Sequence, residues 1–248
     1  MAVPMLTGLE RALAATGLPV RTVPGWRTRS GFAAGYREIV GTVLHTTESD
    51  DEEFASRAGR PADLGSLAAL DGGEDAPTLQ WVINGQGYHT YSLLIGRSGH
   101  VYVISAHPGA QAGYGVWPHT GNVGAVIPRN MGNSYSLGVS MDASVQHPPT
   151  RQQLESLARV LKALQEEWDG ELEIIGHGEY NGWKVRTDPT GVPGGMDAVR
   201  AAAKRGTWDK PAHTQAAPAT ALSYVVRPGD TLYKIGRTFG VPATVIAR

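Results

Sequence analysis

Two histidines, His45 and His177, each directly follow a short apolar run of strand length, and a carboxylate, Asp188, comes soon after the second. Two imidazoles and one carboxylate are a donor set that can hold a zinc ion by three protein ligands and leave a fourth position for water. A zinc so held lowers the pKa of its water to about 7 and polarises a carbonyl, which is the chemistry of a hydrolase at neutral pH. The chain has eight histidines, so spacing by itself leaves a second reading open, in which these are hydrogen-bonded structural residues. Other hydrolytic constellations are missing. There is no His-Glu-x-x-His helix, no Gly-x-Ser-x-Gly elbow and no P-loop. With no cysteine, a thiolate nucleophile, a Cys-based zinc site and a disulfide are all excluded.

The elements that must position these residues follow from hydrophobic period. Ile39–Leu44 is an apolar run that delivers His45 at its C-terminal edge, and Leu172–Ile175 does the same for His177 through Gly176. In an open α/β sheet that edge is where ligands bind. Tyr91–Ile95 and His100–Ile104, joined by Gly96-Arg97-Ser98-Gly99, predict a hairpin, Leu79–Ile83 a further strand, and Tyr135–Met141 another. Thr150 and Gln153 form a capping box ahead of a helix with Leu154, Leu157, Leu161, Leu164 and Trp168 on one stripe. Shorter helices are expected over residues 5–16 and Asp197–Arg205. Residues 48–78 read as an elaborated loop with a helix around Leu64–Leu70, and residues 106–132, rich in Gly, Pro and aromatics, as a loop over one face of the sheet. There His107 and His119 flank a glycine-rich stretch and read either as exposed loop residues, the preferred alternative, or as lining a groove with Trp117. The fold class is α/β, a mixed central sheet packed by helices.

At 248 residues there is room for one sizeable core and a small second module. The expected division is a catalytic domain over 1–206, a linker over 207–222 marked by Pro211, Pro218 and few large apolar residues, and a module over 223–248. A formal net charge of -1 gives no field that would recommend a nucleic-acid partner or an anionic membrane. No apolar run reaches the length of a membrane span, and the N-terminus lacks the basic and apolar regions of a secretory signal, so synthesis in a cytoplasm is expected, as a monomer.

Four segments, in order, carry a resemblance. They are Val43-Leu44-His45-Thr46-Thr47-Glu48-Ser49; the run from Tyr91 through Gly96-Arg97-Ser98-Gly99 to Tyr102; Asn133-Ser134-Tyr135-Ser136-Leu137-Gly138-Val139-Ser140; and Gly176-His177-Gly178-Glu179 with Arg186-Thr187-Asp188-Pro189. Together they resemble the motifs of zinc-dependent N-acetylmuramoyl-L-alanine amidases with the peptidoglycan-recognition-protein fold, of the phage endolysin type. The resemblance implies zinc on His45, His177 and Asp188, with Tyr91 at the catalytic centre, where its hydroxyl would orient water or stabilise an oxyanion. It implies hydrolysis of the amide between N-acetylmuramic acid and L-alanine, with bacterial peptidoglycan, both glycan strand and stem peptide, as partner. Arg186 stands where many active members have Lys; a guanidinium can stabilise an oxyanion but does not shuttle a proton at neutral pH. Ser140 stands where some amidases place a catalytic Glu, and Ser92 replaces the usual His after the tyrosine. Glu179 reads either as an outer partner orienting a ligand histidine or as a solvated loop carboxylate.

Tyr224, Gly229-Asp230-Thr231-Leu232, Ile235-Gly236 and Phe239-Gly240-Val241 resemble the first half of a LysM module, which binds N-acetylglucosamine-containing glycans. A complete module would add a second helix and a pairing strand, so a fragment or a defective module is expected. Three rival readings remain at this stage: a bacterial autolysin or recycling amidase, a non-catalytic peptidoglycan-binding protein of the same fold, and a zinc peptidase acting on the stem peptide.

Overall fold

The computed structural model describes residues 8–29, 31–32, 35–118, 127–168, 172–180, 186–208 and 231. The chain divides into two compact units, Met1–Trp208 and Asp209–Arg248. Apart from Thr231, the second unit lies outside the described residues, as do most of the expected linker, the LysM-like segment and His119.

The elements of the first unit are α1 (Leu9–Ala15), β1 (Val20–Thr22), β2 (Gly41–Thr46), α2 (Asp51–Arg57), α3 (Leu79–Asn84), β3 (Leu93–Ile95), β4 (Val101–Val103), α4 (Gly132–Tyr135), β5 (Ser136–Met141), α5 (Arg151–Glu167), β6 (Glu173–Gly176) and α6 (Gly195–Arg205). Among the described residues the strands form one six-stranded mixed sheet in the order β1-β4-β3-β5-β2-β6. β2 lies between β5 and β6 and runs parallel to both. Every residue of β2 and β5 is buried, as expected of parallel strands covered on both faces. Only β3 and β4 pair antiparallel, as the hairpin expected from their glycine-bounded turn.

Side-chain alternation separates the two faces. Leu44, Leu93, Ile95, Leu137, Val139 and Met141 point into a core shared with α1, α5 and α6. Val43 and Ile175 point the other way, against Trp117, Tyr180 and the loop over that face. His45, two residues from Val43, shares this second face. The helix that anchors the first face is the one the capping box announces: Thr150 accepts from the Gln153 N–H at 3.1 Å, and the Gln153 side chain accepts from the Thr150 N–H at 2.9 Å. Its stripe Leu154, Leu157, Leu161 and Leu164 is buried. Trp208 is buried in the same core, and its N–H donates to Glu155 at 2.8 Å, so packing continues two residues past the expected domain boundary.

Two expectations need correction. Leu79–Ile83 is helical, because Leu79, Val82 and Ile83 bury one helical face; an apolar run this short has no readable period. The helix in the 48–78 segment is α2, capped by the Asp50 carboxylate on the Glu53 N–H at 3.0 Å, with an acidic first turn that suits the positive end of the helix dipole. Leu64–Leu70 instead forms a loop closed by paired backbone bonds between Asp63 and Asp71.

Candidate metal centre

His45 is the penultimate residue of β2, and His177 immediately follows β6, the neighbouring parallel strand. Because the register of the two strands is shared, their ends place the two rings 4.5 Å apart, centroid to centroid. Asp188 reaches them from the loop before α6. Its Oδ2 lies 2.9 Å from His45 Nδ1, and its Oδ1 lies 3.0 Å from His177 Nδ1. The three candidate ligand atoms all fall within 4.8 Å of one another.

The remaining nitrogen of each ring meets an acceptor from one dipeptide. His45 Nε2 is 2.9 Å from Gln111 Oε1, and His177 Nε2 is 3.3 Å from the Ala112 carbonyl. Four ring nitrogens therefore face four acceptors, whereas two neutral imidazoles carry only two protons. Burial, and then the neighbouring His45, pushes the His177 imidazole down to about 4, so that ring takes up no extra proton at neutral pH. Burial works to raise Asp188, but its contacts with His177 and His45 outweigh that and hold the carboxyl below the usual carboxylate range. If both rings are neutral, two of the four contacts have no proton, and the donor set of two imidazole nitrogens and a carboxylate fits a divalent ion such as zinc.

Tyr91 packs beside this cluster, its ring 4.8 Å from that of His45 and its hydroxyl hydrogen-bonded with Ser140. Burial, and then the charge of Asp188, push its phenol well above the ordinary range, so it stays protonated. Ser92 points into the core side, where its hydroxyl meets that of Tyr36 at 2.8 Å. Arg186 lies at the rim, donating to the Tyr114 carbonyl at 3.1 Å, close enough for its charge to act on His177.

Glu179 corrects the sequence reading on both sides. It neither orients a ligand histidine nor stands free in solvent: it accepts the Gly176 N–H at 2.9 Å and pairs with Arg200 at 3.1 Å, fixing the turn that presents His177. Trp117 does not line a groove; it is buried, with its indole N–H on Glu173. His100 pairs with Asp75, and His147 pairs with Asp51 while stacking on Phe54.

Two features escaped the sequence. One is Gln111, in a stretch without periodicity. The other is a clasp around Glu48, a non-glycine residue at φ 55 whose carboxylate accepts from the hydroxyls of Thr46 and Thr190. The Thr190 N–H also donates to Thr46 Oγ1 at 2.9 Å, which ties the residue after His45 to the loop that carries Asp188.

The family profile described as N-acetylmuramoyl-L-alanine amidase matches residues 35–191, and the chain belongs to that family. A profile for the LysM domain matches residues 224–248. No curated protein matches the chain. Among solved structures, it is similar to a selenomethionine derivative of AmpD (17% identity, 77% of this chain and 94% of that one, TM-score 0.45). It is similar also to the Ph2119 endolysin of a Thermus scotoductus bacteriophage (16%, 74% and 99%, TM-score 0.41) and to the endolysin amidase LysCS of Clostridium intestinale (16%, 75% and 96%, TM-score 0.42).

Proposed function

We propose that this chain is a zinc-dependent peptidoglycan amidase of the endolysin type, cleaving the amide between N-acetylmuramic acid and L-alanine. The observation that carries the reading is the convergence of His45 Nδ1, His177 Nδ1 and an Asp188 oxygen within 4.8 Å, with every other ring nitrogen already on an acceptor. When bound there, zinc supplies Lewis acidity toward the scissile carbonyl and a nucleophilic water at neutral pH. The protein's own groups do the rest. Asp188 keeps its charge and the His177 imidazole is held neutral, while Gln111 and the Ala112 carbonyl occupy the second nitrogen of each ring, so the three donors face one another. Tyr91, held protonated, donates its hydroxyl to the oxygen on which negative charge develops. Arg186 adds fixed positive charge at the rim without exchanging protons.

The segment 223–248 serves as the wall-binding part in this reading, joined to the catalytic domain 1–206 by 207–222, of which Trp208 packs onto that domain. The family match supports a peptidoglycan substrate, and synthesis in a host cytoplasm with later access to the wall fits the endolysin role. The test is zinc content of the purified chain, together with release of L-alanine amines from purified peptidoglycan with and without chelator. One zinc ion per chain and chelator-sensitive release are expected. Wall binding with neither metal nor release would turn the chain into a recognition protein.

A further inference from the structure

We infer that Gln111 is a positioning residue that fixes which nitrogen of His45 is offered to the metal, an inference that rests on the zinc reading above. Its direction can be derived from a backbone carbonyl, which only accepts hydrogen bonds. The Ser136 hydroxyl lies 2.7 Å from the Gly132 carbonyl and must donate to it. That leaves Ser136 Oγ as an acceptor for the group 2.9 Å away on Gln111, which must be the Nε2 amide. The Gln111 side chain is therefore oriented with Oε1 toward His45, and Oε1 can only accept, so His45 Nε2 carries the proton. Its Nδ1 is left as a lone pair aimed at Asp188 and His177.

The seat for this relay is built into the strand below. Gln111 is 4% exposed, and a Cβ at position 138 would lie 2.8 Å from Gln111 Cγ, so only glycine at 138 lets the amide lie flat across β5. The next residue serves the second ligand: Ala112 N–H donates to Asn133 Oδ1 at 2.7 Å, and its carbonyl faces His177 Nε2. One dipeptide thus sets the ring orientation of both histidines, from a loop that contributes no ligand of its own. Outer partners of this kind change metal affinity by about 10–100-fold when removed.

The experiment titrates Zn2+ into the full chain against a chromophoric chelator, for wild type, Gln111→Met and Gln111→Glu, and reads the His45 ring nitrogens of the zinc-loaded protein by 15N NMR. Gln111→Met, which keeps length and loses the acceptor, should weaken zinc by about 10–100-fold. Gln111→Glu, which keeps an acceptor for Nε2–H, should stay within about threefold of wild type, a rescue that mere packing would not produce. Wild-type His45 should show its proton on Nε2. Should Gln111→Met fail to fold, Ser136→Ala, which releases the amide from its fixed orientation, should weaken zinc severalfold. Wild-type affinity in a folded Gln111→Met, or a proton on His45 Nδ1, overturns the inference and leaves the zinc reading intact. A wild-type chain that takes up no zinc overturns both.

Discussion

Asp142 and Asp188 are both aspartates drawn into clusters at the same end of the sheet, and their surroundings differ in one respect. Asp142, which is fully buried, has a donor on each of its own oxygens: Thr78 N–H at 3.0 Å and the Thr47 hydroxyl at 3.1 Å on the carboxylate, Arg97 and Gln153 on its carbonyl. Around Asp188 the same count comes out short, because the imidazole nitrogens that face it have an acceptor on their other side as well. A buried polar network satisfied from within holds elements together, whereas one short of positive charge requires something from outside. The comparison separates scaffold from site without reference to any relative.

The largest effect that could break it is at the site. His177→Ala should lower both zinc content and peptidoglycan cleavage to background while leaving the fold intact, checked by metal analysis and circular dichroism. Tyr91→Phe should retain zinc and lose roughly 10²–10³ in rate, the usual cost of removing one donor to an oxyanion. A fully active His177→Ala chain would mean the charge shortage has no functional content.

The complementary effect is on the scaffold. Gln153 donates to the Ile95 and Asp142 carbonyls at 2.9 and 3.0 Å and accepts from Thr150 N–H and Arg97, joining α5 to two strands and the hairpin turn. Gln153→Leu should cost about 2–4 kcal/mol of stability, since several buried groups lose partners together, and leave zinc affinity unchanged. Denaturant midpoints and zinc titration on the same preparation check both halves.

What was legible in the sequence follows the same division. His45 and His177 could be seen because each ends an apolar run that burial turns into a strand, and Gln153 because a capping box is local in sequence. Gln111 could not, since its partners His45 and Ser136 lie far away in the chain and no period marks the loop that carries it. Glu179 misled through proximity: two residues from His177, it is turned by the short helical turn 177–179 toward Arg200 on α6. Local patterns announced the elements and the ligands; groups that orient ligands across the fold emerged only when the strands were in register.

Burial also gives Asp142 a pH dependence of its own. Burial, only partly offset by the Thr78 N–H and the Thr47 hydroxyl, pushes the Asp142 carboxyl up to about 6. Between roughly pH 4 and 6 the folded chain then holds a proton that the unfolded chain releases, so this residue's contribution to stability is present below about pH 4 and is lost as pH rises through 6. Asp142→Asn removes that ionisation. Relative to wild type its stability should improve by up to about 3 kcal/mol between pH 4 and 7, read as the difference in denaturant midpoints across the range. A pH-independent difference would place Asp142 outside the buried scaffold.

The smallest effect lies where the two clusters meet. Thr46 and Thr47 are adjacent, one bonded to the Asp188 loop through Thr190 and Glu48, the other to Asp142. If site and scaffold are distinct, removing the Thr46 hydroxyl should be felt by the metal and barely by the fold, because its bond to Thr190 sets how closely the Asp188 loop approaches β2. Thr46→Val keeps the shape of the strand and loses about 1 kcal/mol of that tether, so zinc should bind about fivefold more weakly. The pH dependence that belongs to Asp142 should not move. A shift in that profile with zinc affinity unchanged would show that the tether serves the scaffold, and that the boundary between the two clusters lies on the Asp188 side of Thr46.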